Sequence, residues 1–113
     1  MNIAFRSNKL RKEYSEERRL IQEHGPRCAK LIQRRLAELE AAPTLAAMRN
    51  LPGARCHELL GDMRGILSVD VEHPYRLLFK PDHDPVPIRE DAGGLDWDKI
   101  TAIMILGKHD THE

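Results

Sequence analysis

Hydrophobic and polar positions alternate most cleanly between Cys56 and Lys80, in the run CHELLGDMRGILSVDVEHPYRLLFK. Leu67, Val69 and Val71 alternate with Ser68, Asp70 and Glu72, the two-residue period of a half-buried strand. Tyr75, Leu77 and Phe79 then alternate with Arg76, Leu78 and Lys80, which predicts a second strand. Pro74 lies between the two, where its missing N–H does no harm. Gly61-Asp62-Met63-Arg64-Gly65 reads as a turn, its two glycines free to take positive φ. A hairpin of this kind leaves His57, Arg64 and Arg76 polar and near one another on an otherwise apolar sheet. Cys56–Leu59 predicts a strand before it, and Ile3–Phe5 a short opening strand. Ile100–Leu106 is apolar on both faces and predicts a central strand.

Elsewhere the period is that of a helix. From Asn8, a good cap, Leu10, Tyr14, Glu17 and Ile21 share one face as far as His24-Gly25-Pro26, which stops the helix and starts the next. The second helix runs to about Ala42 with Cys28, Leu31, Ile32, Leu36 and Leu39 toward the core; Arg27, Lys30, Arg34, Arg35, Glu38 and Glu40 face out. Thr44 can cap a short turn holding Leu45 and Met48. The expected organisation is one domain over residues 1–113, with a helical hairpin at about 8–42, a sheet at about 56–106 and an acidic, proline- and glycine-containing loop at 81–98. Trp97, between Asp96 and Asp98, reads as the anchor of that loop. The fold class is α+β, helices packed on a small antiparallel sheet.

Composition narrows the function classes. No apolar run approaches the ~20 residues of a membrane span, and the opening MNIAFRSNKLRKEY has no apolar core of an export signal. The expected location is therefore the cytoplasm, without a membrane partner, with Cys28 and Cys56 as free thiols. The formal charge is +0, but residues 1–50 carry a surplus of +5 and residues 51–113 a deficit of −5. Two readings of this asymmetry are open: a basic helical half that meets a polyanion, or solvated helix faces with no partner.

The segments MRNLPG, CHELLGDMRG, HPYRLLF and ITAIMIL…DTH, in that order, resemble HigB toxins of the RelE/ParE type. Members of that group usually read L-K-G-D-x-[KR]-G at the turn, P-[YW]-R-[LI]-x-F on the next strand and D-Y-H near the end. The resemblance implies a RelE/ParE-like fold, with two N-terminal helices against a small antiparallel sheet. It also implies metal-free cleavage of messenger RNA on the ribosome, and a HigA-type helix-turn-helix antitoxin through which the complex meets operator DNA. No cofactor or metal is expected. The run His109-Asp110-Thr111-His112 brings imidazoles and a carboxylate together, but it follows a strand and lacks a third ligand at metal spacing.

Carried over position by position, the resemblance implies that His57, Arg76, Asp110 and His112 are catalytic and that Arg64 and Thr111 bind substrate. The chemistry suits these residue types. A ribose 2′-OH attacking the adjacent phosphate needs a base, an acid for the leaving 5′-oxygen, and cations for the charge developing on phosphoryl oxygens. Histidine suits the proton transfers and arginine the phosphate. Bland readings stand beside these: Arg76 as a sheet-surface residue paired with Asp70 or Glu72, His57 as a satisfied strand histidine, Arg64 as an ordinary turn residue.

Two departures bear on activity. Leu60 stands where the turn usually has lysine, and Thr111 where the ending usually has tyrosine, which removes a cation and a stacking face. The alternative function is thus a weakened relative that only binds its antitoxin and, through it, operator DNA. Gyrase inhibition, as in the ParE branch, is disfavoured by the H-E-L and D-T-H positions.

Overall fold

The computed structural model describes residues 1–91 and 93–110. Its first elements are strand β1 (Asn2–Phe5) and helices α1 (Asn8–Ser15), α2 (Glu17–His24) and α3 (Pro26–Ala41). Two short 3-10 turns, Leu45–Asn50 and Pro52–Ala54, lead into the rest of the sheet. That sheet comprises β2 (His57–Glu58), β3 (Leu67–Asp70), β4 (Tyr75–Pro81) and β5 (Ala102–Asp110), in the order β1-β5-β4-β3-β2. Pairing is antiparallel from β2 through β5, as expected, and β1 joins the outer edge of β5 in parallel.

The helical segment differs from the sequence expectation in three ways. Its cap is Ser7, whose Oγ accepts the Leu10 N–H at 3.1 Å; Asn8 already lies in the helix and its side chain binds Arg11. The helix is also broken at Glu16, which takes an extended conformation (φ −118°, ψ 113°). Glu16 then starts α2 with its carbonyl bonded to Leu20 N–H and its carboxylate 2.9 Å from Arg19. The break rotates the second half, so that Leu20 is buried and Ile21 is exposed. An uninterrupted helical period cannot reveal this, because the pattern on either side of Glu16 is helical.

α3 packs Cys28, Ile32 and Leu39 on one face of the sheet, against a core that includes Leu67, Val69, Leu77, Phe79, Ile103 and Ile105. Arg35, expected to face solvent, is instead only 7 % exposed. Its guanidinium donates to the Asp70 carbonyl (2.7 Å), the Gly53 carbonyl (2.9 Å) and the Glu38 carboxylate (2.9 Å). One side chain thus ties α3 to the end of β3 and to the turn before β2.

The loop after β4 is fixed at both ends. His83 Nε2 accepts the N–H groups of Thr101 and Ala102 (3.1 and 3.2 Å), and Trp97 packs half-buried on the core under the Arg49 guanidinium, 4.4 Å from its ring centre. The anchoring role expected of Trp97 is the one it has. Among the described residues, no helix is long and apolar enough to cross a membrane.

Candidate functional site

A bulge in β5 decides which side chains meet. Leu78 pairs with Gly107 but Phe79 pairs with Ile105, so Leu106 is the extra residue. Gly107 takes φ +116°, a conformation that side-chain-bearing residues rarely adopt. Before the bulge, Ile103 and Ile105 face the core; after it, Gly107 and His109 share a face with Leu78 and Arg76. Lys108 swings to the other side, its ammonium 4.1 Å from the Tyr75 ring centre. Without the extra residue His109 would point into the helical layer.

On the face opposite α3, cross-strand register sets His57 against Ser68, Asp70 against Arg76, and Arg76 against His109. The Arg76 Nη1 lies 2.9 Å from His57 Nε2, while His57 Nδ1 lies 2.8 Å from the Arg55 carbonyl. A guanidinium can only donate, so Nε2 accepts and is unprotonated; Nδ1 carries the proton and donates to the carbonyl. The ring is therefore neutral in a fixed tautomer, with its basic nitrogen turned to the cation. Arg76 Nε stands 3.6 Å from Asp70 Oδ1, and Arg55, held at φ +47°, reaches Asp70 Oδ2 at 3.4 Å. The surface pairing of Arg76 with Asp70 and the contact with His57 coexist. Because Arg35 grips the Asp70 carbonyl from the core side, the position of this group is set by α3.

The remaining sequence candidates are placed less centrally. Arg64 is exposed at the end of the 3-10 turn Gly61–Met63, outside the His57–Arg76–Asp70 network. Asp110 closes β5 opposite Tyr75, one position out of phase with Arg76. Thr111 and His112 lie outside the described residues. Leu60 is 86 % exposed at the start of the same turn, so a leucine there fills no packing need.

Four contributors escaped the sequence reading. In the sequence Asp70 reads only as a surface partner of Arg76, His109 only as a metal ligand, and nothing marks Arg55 or Arg35 as part of the site. The Asp70–Arg76 and Arg76–His109 placements follow from register and from the bulge; Gly107 at the end of the apolar run is the one local signal for the bulge.

Near the site a buried group of α1 and α2 closes the free edge of β5 beyond the end of β1. The Tyr14 hydroxyl accepts the Lys108 N–H at 2.9 Å, and burial pushes its pKa up to about 12. Tyr14 stacks edge-on with His24, whose Nε2 lies 2.7 Å from Glu13 Oε2.

The five-stranded sheet with its N-terminal helical layer is a fold found in solved toxin structures. Two solved structures share the fold: the YoeB–YefM complex from Staphylococcus aureus and the YoeB/ParE toxin from Agrobacterium tumefaciens. The first is 18 % identical, covering 100 % of this chain and 98 % of that one with a TM-score of 0.56. The second is 12 % identical, covering 99 % and 100 % with a TM-score of 0.51. None of the curated proteins is a significant match. The profile of the HigB-like toxins, described as RelE-like toxins of type II toxin–antitoxin systems, matches residues 3–87. The chain belongs to this family of toxins. The matched span includes His57, Arg64 and Arg76 and stops before β5.

Proposed function

We propose that this toxin is a metal-free, ribosome-dependent endoribonuclease that arrests translation by cutting messenger RNA. The observation that carries the reading is the 2.9 Å contact between Arg76 Nη1 and His57 Nε2. An unprotonated imidazole nitrogen and a phosphate-binding guanidinium stand side by side on an open sheet face. A phosphate arriving at Arg76 competes for its N–H groups and releases the Nε2 lone pair, which then accepts the proton of the neighbouring 2′-OH. Arg76 stabilises the charge that builds on the phosphoryl oxygens, and Asp70 holds the guanidinium in place. The proton for the leaving 5′-oxygen comes from the C-terminal end, where Asp110 and His112 are the proposed groups. His109, opposite Arg76 in register, is the nearest histidine to that role among the described residues. Arg64 and Thr111 would contact the message.

The partner proposed is a HigA-type helix-turn-helix antitoxin that silences the toxin and brings the complex to operator DNA. The similar YoeB structure is a complex with YefM, which supports a bound antitoxin. The basic surplus of residues 1–50 supports contact with ribosomal RNA, and the site of action is the cytoplasm.

A second reading rests on Leu60. A leucine that is 86 % exposed where these toxins usually carry a cation fits a chain that retains partner binding and has lost cleavage. Induced expression in bacteria without the antitoxin separates the two. The nuclease arrests growth and generates new message ends, and Arg76→Ala abolishes both. Normal growth with abundant folded protein would instead favour the binding module.

A further inference from the structure

Beside the His57–Arg76 pair, α1 and the bulged part of the sheet enclose a cleft of about 370 Å³. Its floor is apolar: Leu10, Met63, Ile66, Leu78 and Leu106 line it. Leu10 of α1 packs over Gly107, where a Cβ would lie 3.6 Å from Leu10 Cδ1 in ordinary contact. Its rim carries Arg6, Lys108 and His109. One wall is polar, formed by Glu13 and His24, whose side chains are 22 % and 9 % exposed.

We propose that this cleft binds a nucleobase of the RNA, next to the phosphate held by Arg76, and that Glu13 reads the base's amino group. The proposal rests on the nuclease reading of the site and deepens it. Leu78 follows Arg76 by two residues on the same strand face, a step of about 6.6 Å, and Gly107 and His109 stand opposite them. A nucleotide with its phosphate on Arg76 thus has its base over Leu78, beside Leu10 of α1, which covers Gly107. Bases are apolar on their faces and polar at their edges, which matches an apolar floor with one polar wall. Met63 supplies a polarisable contact for an aromatic ring. The cationic rim suits the flanking phosphates.

Glu13 gives the cleft a preference. His24 holds Oε2, which leaves the second carboxylate oxygen to accept a hydrogen bond. A carboxylate accepts from the exocyclic amino groups of adenine, cytosine or guanine and finds no such donor on uracil. His24 positions Glu13 and does not itself touch the base.

The test uses the full chain and three-residue RNAs blocked by a 2′-deoxy sugar at the cleavage position, differing in one base. Methyl NMR follows Leu10, Met63, Leu78 and Leu106 during titration. The expected result is saturable shifts of these methyls and binding of the adenine or cytosine RNA about tenfold tighter than the uracil RNA, one charge-assisted hydrogen bond's worth. Glu13→Gln, which can still bond His24 but can also donate, should collapse that ratio toward one. Leu10→Trp, or Met63→Trp should the first not fold, should fill the cleft and abolish the methyl shifts. Equal binding of all bases, unmoved cleft methyls, or no saturable binding would overturn the proposal. A chain that shows the preference but never cuts RNA would support the cleft and count only against the nuclease reading; cleavage with no base preference would do the reverse.

Discussion

Replacing Arg35 by methionine should be among the most damaging single changes in the helical layer. The side chain is 7 % exposed and makes three charge-assisted hydrogen bonds between 2.7 and 2.9 Å. Methionine fills much of the same volume, so little of the loss comes from an empty space. What remains is the Asp70 and Gly53 carbonyls without this donor, and a Glu38 carboxylate, 18 % exposed, that keeps only the longer 3.5 Å contact with the exposed Arg34. Leaving a buried acceptor unpaired costs about 1–3 kcal/mol, and breaking a buried ion pair about 3–5 kcal/mol. The three bonds share one side chain and are not additive, so the combined loss should be about 3–5 kcal/mol. In a domain of this size that lowers Tm by about 12–20 °C. Urea unfolding followed by circular dichroism measures it as a drop in the midpoint with unchanged slope. Cleavage should fall further than the unfolded fraction accounts for, because the released β3 end carries Asp70 away from Arg76. A loss below about 0.5 kcal/mol would refute the reasoning, since an ordinary surface substitution alone does that much.

Other changes separate site from scaffold. Arg76→Lys keeps the charge but loses the planar fork, and should cut message cleavage by about 10²–10³ while leaving the fold intact by circular dichroism. Leu60→Lys places a cation on a position that is 86 % exposed, before the Gly61–Met63 turn; it should raise cleavage in a translation assay and change stability by under about 0.5 kcal/mol. Burial raises the Tyr14 hydroxyl from 10.0 to about 12 and the Cys56 thiol from 9.0 to about 12. Both groups hold their protons more tightly folded than unfolded, so their stabilisation is whole below about pH 9 and is lost as pH rises from there to about 12. Denaturation midpoints measured across that window should fall steadily, and Tyr14→Phe should fall less steeply. The same burial should make Cys56 resist alkylation at pH 8 until the protein is unfolded.

Much of this was legible in the chain. The alternation from Leu67 to Phe79 placed β3 and β4, and the stripe Cys28–Ile32–Leu39 placed α3 against them. His57 and Arg76 were found together because both sit on strands whose register is fixed by one buried face. Arg35 was not legible: arginine on a helix is ordinarily solvated, and only the arrival of the Asp70 and Gly53 carbonyls at that spot gives its guanidinium partners. The bulge at Leu106 was equally hidden, since Ile100–Leu106 is apolar on both faces and alternation there carries no phase. With the phase lost, so was the side of the sheet on which His109 and Asp110 would emerge. The break at Glu16 falls in the same class, a change of direction within an unchanged period.

The most direct measurement concerns the ends of the cut message. Purified toxin is added to ribosomes translating a defined message, and the 3′ terminus of the upstream fragment is analysed chemically. Attack by the ribose 2′-OH, with His57 as base and Arg76 on the phosphate, leaves a 2′,3′-cyclic phosphate. It also requires that a 2′-deoxy sugar at the cut position block cleavage. A 3′-hydroxyl end, or undiminished cleavage of the deoxy-substituted message or by Arg76→Ala, would contradict the account of the site.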